Sequence, residues 1–331
     1  MTVGIGILGA GIVSELYAQA IERGAPARVV GVYDPDRPKA EALASRLKGR
    51  AFASRDALLA ADEVEACLVV SPNHAHVGDA MACLAARKHV MVEKPVAESH
   101  EELSALAEAA LRIGSVCMPA HNYIYNPSVQ RARRLLQEKR LGQVASYWIL
   151  YNIFHTEEIA RRYGGVLREV AVHHAYSLLY LAGRPLNVSA RMSRVHYRSL
   201  DAEDQVALCC EMPDGALANL WVSFAASDPT SDPWTVVYKI LGEKGGVSFT
   251  WNDAIFPDAG GPAWGIVNYV DSFHDQLTYF LDHVIPGRAA PLSALQDAAD
   301  ALAIIAAAEV SAQRKGAATT IDYRPLSGLS K

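Results

Sequence analysis

The first third of the chain alternates short β-rich runs with alanine-rich helical patterns, and this alternation is the tightest constraint on its fold. Residues 3–8, 29–33, 66–70 and 90–92 read as strands, continuous in hydrophobicity as strands buried on both faces are. Candidate helices fall between them, near 12–23, 36–47, 76–86 and 99–113. Repeated strand–helix–strand units predict an α/β domain built on a doubly wound parallel sheet.

After about residue 120 the texture changes. A helix starts near Pro127, a residue suited to a first helical turn, and stops at Gly142. Strand-like runs follow at 144–152, 188–196, 205–212, 216–225, 235–241 and 246–251, several joined by short turns such as Asp214-Gly215 and Lys244-Gly245-Gly246. Helical segments lie near 165–182, 271–285 and 293–314. The pattern predicts an α+β domain with a largely antiparallel open sheet. A chain of 331 residues exceeds what one core usually serves. The expected division is 1–120 and 121–331, with the C-terminal helices able to pack back on the first domain.

Composition narrows the function classes. With 51% hydrophobic and 20% charged residues and a net charge of −5, the chain has the material for compact cores. Its pI near 6.1 argues against a nucleic-acid partner, which would require a basic face. The basic run Arg131, Arg133, Arg134, Lys139 and Arg140 is read as the solvated side of a helix whose Val129, Ala132, Leu135 and Leu136 face inward. Cysteines 67, 83, 117, 209 and 210 show no C-x-x-C spacing, so neither a disulfide framework nor a metal site is expected. No signal-peptide pattern opens the sequence and no apolar run reaches a membrane-spanning length; the expected setting is the cytoplasm.

Between the first strand and first helix lies Gly9-Ala10-Gly11-Ile12-Val13-Ser14. Glycines here permit a tight turn and close approach of backbone to a pyrophosphate, and the helix N-terminus offers free N–H groups. Gly9, Gly11, Ile12 and Val13 are therefore candidate cofactor-binding residues, with small Ser14 in place of a third glycine. The second strand ends at Asp34, where a carboxylate would accept hydrogen bonds from ribose hydroxyls and repel a 2′-phosphate. This favours NAD, while Arg37 nearby leaves NADP possible. Asp34-Pro-Asp36 is also good turn and helix-cap chemistry.

Several motifs taken together extend the pattern over nearly the whole chain. They are the glycine turn, Ser71-Pro72-Asn73 with His76, Lys88-His-Val-Met-Val-Glu93-Lys94-Pro95, Asn122-Tyr123-Ile124-Tyr125-Asn126-Pro127, Gly164-Gly165, the stretch 169–173, and Pro291, Ser293 and Asp297. In this combination the sequence resembles the glucose-fructose oxidoreductase / inositol dehydrogenase / rhizopine catabolism family, Gfo/Idh/MocA. The resemblance implies cofactor contacts from Ser71, Pro72, Asn73, His76, Glu93 and Lys94. It also implies an NAD(P)-dependent dehydrogenase or reductase of sugar- or cyclitol-like CH–OH groups, assembled as a dimer or tetramer through the second domain's sheet. Leu220, Val222 and Phe224, or their alternating neighbours, would then lie near the contact.

Physics supports a working role for Lys94. In an open parallel sheet, ligands bind beyond the carboxyl ends of the strands, so a residue just after Val92 and Glu93 points toward the cofactor crevice. An ammonium there can hydrogen-bond a carbinol or carbonyl oxygen and stabilise charge developing on it. Pro95 biases Lys94 toward an extended backbone, and Glu93 either holds the loop or is solvated. Family members commonly carry Asp-x-Gly-x-His where this chain has Glu169-Val-Ala171-Val-His173, and the resemblance gives that acid and histidine a part in proton transfer. On an α-helix Glu169 and His173 share a face, while His174 is turned about 100° away toward Val170 and Leu178. His173 is therefore the expected acid/base, since the unperturbed pKa of a histidine side chain, about 6.5, suits proton exchange near neutrality.

Asn122, Tyr123 and Tyr125 sit where the chain crosses between domains and are candidate substrate-lining residues, with Lys94, Glu169 and His173. Ile124 stands where many sugar-active relatives have arginine, a departure that speaks against a plain hexose. The polar loop 155–163 has no role assigned from sequence. Two other function classes fit the resemblance, a redox-neutral NAD-dependent glycosidase or lyase and a non-catalytic dinucleotide-sensing regulator. Retention of both Lys94 and His173 speaks against the regulator.

Overall fold

The computed structural model describes residues 2–161, 165–226, 234–250 and 267–328. Its first part runs β1 (Val3–Leu8), α1 (Ile12–Glu22), β2 (Ala27–Tyr33), α2 (Arg37–Arg46), β3 (Arg50–Ala51), α3 (Arg55–Leu59), β4 (Ala66–Val69), α4 (His76–Ala85), β5 (His89–Glu93), α5 (His100–Ile113) and β6 (Cys117–Ala120). The middle holds α6 (Pro127–Gln137), β7 (Val144–Ile153), α7 (Glu157–Ala160), α8 (Val172–Ala182), β8 (Asn187–Ser193), β9 (Gln205–Glu211) and β10 (Leu217–Ser223). The last part holds β11 (Trp234–Gly242), β12 (Gly245–Thr250), α9 (Val267–Tyr279), α10 (Leu295–Gln313) and β13 (Thr319–Thr320). Two compact units result. One joins Met1–Tyr125, Val270–Ala299 and Arg324–Lys331; the other joins Asn126–Tyr269 and Asp300–Tyr323.

In the first unit six strands lie in the order β3-β2-β1-β4-β5-β6, every pair parallel. The chain winds outward from β1 to β3 on one side and from β4 to β6 on the other, so a crevice opens at the carboxyl ends of β1 and β4. Ile5, Ile7, Leu68, Val69, Val90 and Val92 are fully buried, as the unbroken apolar runs require. Ser99 and Glu102 form a capping box on α5, and Gly114 closes it in the left-handed conformation. The sequence reading omitted β3 and β6, the two edge strands. β3 is only two residues long, and β6 carries Pro119, which a central strand would exclude but an edge tolerates.

The second unit is built on a seven-stranded sheet, β12-β11-β7-β10-β9-β8-β13, in which only β7 and β10 pair in parallel. The expected glycine turns are present: Gly215 has φ +85° between antiparallel β9 and β10, and Gly245 follows the turn joining β11 to β12. One face buries Ile149, Leu208, Leu220, Val222 and Ile240. Tyr238 on this side donates to Ser177 Oγ of α8 at 3.1 Å, so α8 covers it. The alternate face carries Trp148, half exposed, and Leu217. Of the two alternating sets on β10, Leu220 and Val222 are thus buried by the chain itself, as is Phe224 just beyond the strand. The final residue of the expected 246–251 strand lies outside the described residues.

Candidate functional site

The turn after β1 is shaped by steric demand on one glycine and by open space over the other. Gly9 has φ +107°, and a Cβ there would stand 2.6 Å from Val70 O and 2.7 Å from Ser71 N, so only glycine lets β1 leave the sheet against the end of β4. A Cβ on Gly11 would meet nothing within 4 Å. Gly11 is also the N-cap of α1 and supplies no side-chain cap, so the first-turn N–H groups beginning at Ile12 and Val13 take no acceptor from it. Ser14, buried, donates from Oγ to Gly11 O at 2.6 Å and closes the turn where a third glycine stands in the usual pattern. These residues fit a dinucleotide pyrophosphate.

Asp34, one residue beyond β2, takes Ala10 N on Oδ2 and Asp36 N on Oδ1, both at 2.7 Å. The two readings of Asp34-Pro-Asp36 separate: Asp36 caps α2 through Lys39 N, while Asp34 ties the glycine turn to the end of β2. Each Asp34 oxygen retains acceptor capacity for a hydroxyl. Arg37 pairs along the surface with Glu41 at 2.7 Å.

At the end of β4, Ser71 donates to Asp79 Oδ2 at 2.7 Å, and Asp79 is itself paired with Arg55 at 3.1 Å. Pro72 and Asn73 begin a short 3₁₀ turn leading into α4. His76 is buried with Nδ1 at 2.7 Å from Pro95 O and Nε2 at 2.7 Å from Ser71 O. Its ring therefore joins the β4 exit to the β5 exit. Glu93 is the last residue of β5 and is buried, which answers whether it is solvated. Its Oε1 accepts from Tyr17 OH and its Oε2 from Lys94 N, each at 3.0 Å. The Lys94–Pro95 peptide bond is cis.

Tyr17 was invisible to sequence reasoning. It sits inside α1, 76 residues from Glu93, and nothing in its helical spacing marks it as different from a core residue. The 3₁₀ turn Asn122–Tyr125 is buried throughout; Asn122 donates to Ser272 Oγ at 3.0 Å and the Tyr125 hydroxyl lies 3.8 Å from Met118 Sδ. Ser293 Oγ lies 2.7 Å from His121 Nδ1, and Asp297 accepts from Ala294 N at the start of α10.

In the second unit, α8 is preceded by a π-helical turn over Leu167–Ala171, which carries Glu169 and Ala171. The shared-face argument for Glu169 and His173 assumed an α period, and the register between them crosses this π turn. His173 is buried, with Nδ1 2.5 Å from the Tyr176 hydroxyl. His174 is fully buried, its ring 6.2 Å from that of Tyr151 and steeply inclined to it, and neither ring nitrogen has a hydrogen-bond partner among the described residues. Burial pulls its pKa down to about 3, so it is a neutral core residue.

Glu203 is a second residue that sequence reasoning missed. Its Oε1 accepts from Leu167 N at 2.8 Å and caps the π turn, while burial pushes its pKa up. Gly165, with φ +103°, leaves room for that carboxylate; a Cβ would stand 2.5 Å from both its oxygens. Gly164 and residues 162–163 lie outside the described residues. The earlier part of the 155–163 loop is tied down by Glu157, which accepts from Ser199 Oγ and from the backbone N–H groups of Arg198 and Ser199. These hydrogen bonds hold its pKa down to about 2.

Comparison with known proteins agrees with this architecture. Residues 3–121 match a family described as "Oxidoreductase family, NAD-binding Rossmann fold", and residues 129–248 match the GFO/IDH/MocA C-terminal domain. Glucose-6-phosphate 3-dehydrogenase of Bacillus subtilis is 35% identical over 142 residues, 43% of this chain and 40% of that protein. Inositol 2-dehydrogenase of Rhizobium meliloti is 28% identical over 193 residues, 57% of this chain and 58% of that protein. The match therefore spans less than two thirds of either relative. A solved structure of a myo-inositol dehydrogenase from Corynebacterium glutamicum superposes with a TM-score of 0.84 at 21% identity, covering 97% of this chain and 99% of the other, a likeness of fold. The two family matches together cover most of the chain: it belongs to the Gfo/Idh/MocA oxidoreductase family, and its first unit carries that family's NAD-binding Rossmann fold.

Proposed function

We propose that this protein is an NAD-dependent dehydrogenase of a secondary alcohol, or reductase of the matching ketone, in a sugar- or cyclitol-like molecule. The observation that carries the reading is the position of Lys94, immediately beyond β5 in the same parallel sheet whose β1 exit fits a pyrophosphate. NAD, when bound, supplies the hydride acceptor. Gly9, Gly11, Ile12 and Val13 hold its pyrophosphate, Asp34 takes the ribose hydroxyls, and the Ser71–Pro72–Asn73 turn borders the crevice. Arg37, engaged with Glu41, leaves NADP a secondary possibility. Lys94 hydrogen-bonds the reacting oxygen, His173 moves the proton, and Glu169 stabilises the protonated ring. Asn122, Tyr123 and Tyr125 shape the substrate side, and Glu93 acts through the backbone of Lys94.

The same reading includes a homo-oligomer formed through the second unit's sheet. Trp148 is 50% exposed and Leu217 46%, and in register Trp221 stands beside Leu150, which stands beside Val237. An apolar stripe of this kind is the sort of surface another copy covers. A cytoplasmic setting is supported by five free thiols.

A panel of sugars, inositols and amino-sugars with NAD or NADP, read by absorbance of the reduced cofactor, tests the function. Net NADH formation with a polyol is expected. Substrate consumption without net reduction would replace the reading with a redox-neutral hydrolysis or elimination, and NADH binding without any turnover would replace it with a sensor.

A further inference from the structure

His76, expected from the resemblance to contact the cofactor, has both ring nitrogens set against backbone carbonyls of the fold, between the two loops that matter most to the reading above. Its ring nitrogens each lie 2.7 Å from a backbone carbonyl oxygen, Ser71 O at the β4 exit and Pro95 O directly after Lys94. Carbonyl oxygens only accept, so both contacts are hydrogen bonds only when the ring carries two N–H groups. Burial is the largest influence and leaves the pKa below its ordinary value, against the pull of the two carbonyls and Asp79, so near neutral pH the ring is uncharged, donates to one carbonyl and rests against the other.

The two loops differ in what else holds them. Ser71 keeps a side-chain bond to Asp79, which Arg55 anchors. The amide of Lys94 is held from upstream by Glu93, which Tyr17 anchors, and the carbonyl of the following residue, Pro95, is the one against His76. Losing the imidazole therefore leaves the Ser71 loop its bond to Asp79 and takes from Pro95 O its contact with the β4 exit.

We infer that His76 is a positioning residue for Lys94: wedged between the Ser71 and Pro95 carbonyls, with a ring nitrogen 2.7 Å from each, it sets the spacing between the loop that carries Lys94 and the β4 exit. The inference rests on Lys94 acting on the reacting oxygen as proposed above. Misplacement by about 1 Å can cost about a hundredfold in rate. His76→Asn, which keeps a donor but is too short to span both carbonyls, is expected to lower kcat about tenfold, and His76→Phe, which keeps the ring without a donor, about a hundredfold. The Kd for NADH, by fluorescence titration, should stay within about threefold of the parent, because Ser71 keeps its bond to Asp79.

In single turnovers, His76→Asn should add little to the loss already caused by Lys94→Met, since an absent ammonium cannot be misplaced. A residue that served only folding would slow the double variant as much as the single one. Parental kcat in His76→Asn, or a fully additive double variant, overturns the inference and leaves the catalytic reading standing. Parental turnover by Lys94→Met overturns that reading, and the inference with it. If His76→Phe fails to fold, His76→Asn and the double variant decide the matter.

Discussion

Lys94 and His173 are held in place by different means. Lys94 is set by backbone: it follows a buried parallel strand, its amide bonds to Glu93, and the carbonyl of Pro95 just after it lies against the His76 ring. His173 is set by a helix whose preceding turn is π rather than α, capped by a distant glutamate, and its ring is turned by Tyr176. A site at the end of a parallel strand inherits its position from sheet topology, whereas a site on a helix depends on how each successive turn is hydrogen-bonded. The first kind tolerates changes in surrounding side chains; the second is sensitive to one residue of register.

The largest effects should fall on the two groups assigned to the reacting oxygen. His173→Ala is expected to lower kcat by about 10²–10⁴, the usual range for removing a general acid/base, and Lys94→Met by about 10²–10³. Steady-state assays on the substrate found by the polyol panel would measure both. If one variant retains parental kcat, the comparison collapses to a single working site, on the sheet or on the helix.

Glu169→Gln should cost less, at least about tenfold in kcat with little change in NADH affinity, because it removes the charge that favours protonated His173. Glutamate is one methylene longer than the aspartate usual in the family, and the π turn falls on the five residues that carry Glu169 and Ala171. Parental turnover by Glu169→Gln beside an inactive His173→Ala would make the carboxylate structural and leave Lys94 and His173 as the set.

What was legible in the sequence follows the same division. Continuous apolar runs between amphipathic helices gave the parallel sheet, and with it the places of Gly9, Asp34 and Lys94, because side-chain period and topology leave little choice. The short edge strand β3 and the proline-bearing β6 escaped, since neither reads as a strand without its neighbour. The π turn escaped for a deeper reason. It is stabilised by Glu203, 36 residues from Leu167, and by the close approach that Gly165 permits, neither of which leaves a local pattern. Tyr17 and His76 likewise act through contacts between residues far apart in sequence or through backbone carbonyls.

A smaller effect is expected at Asp34, on the sheet side of the comparison. NADH should bind more tightly than NADPH, and Asp34→Ala should narrow the ratio of their dissociation constants by several-fold, about 1 kcal/mol, by removing repulsion of the 2′-phosphate. Because Asp34 also accepts from Ala10 N, NADH affinity itself should fall modestly. Fluorescence titration gives both constants, and tighter NADPH binding by the unmodified protein would reverse the cofactor assignment.

The smallest effect on turnover tests the helix register directly. His174 is fully buried, both ring nitrogens lack partners among the described residues, and burial holds its pKa at about 3. A histidine with a depressed folded-state pKa makes no difference to stability above the unfolded value near 6.5, where both states are neutral. Below that pH the unfolded chain takes up a proton that the folded one refuses, so stability falls with pH until about 3, by about 2 kcal/mol at pH 5. His174→Leu removes this term. It should leave kcat close to parental, and its advantage in Tm over the parent should be larger at pH 5 than at pH 7.5 by roughly 4–8 °C for the second unit's transition. An equal advantage at the two pH values would mean that His174 is protonated in the folded state. Loss of turnover in His174→Leu, alongside an active His173→Ala, would mean that the π turn shifts the working face by one residue and that His174 is the acid/base.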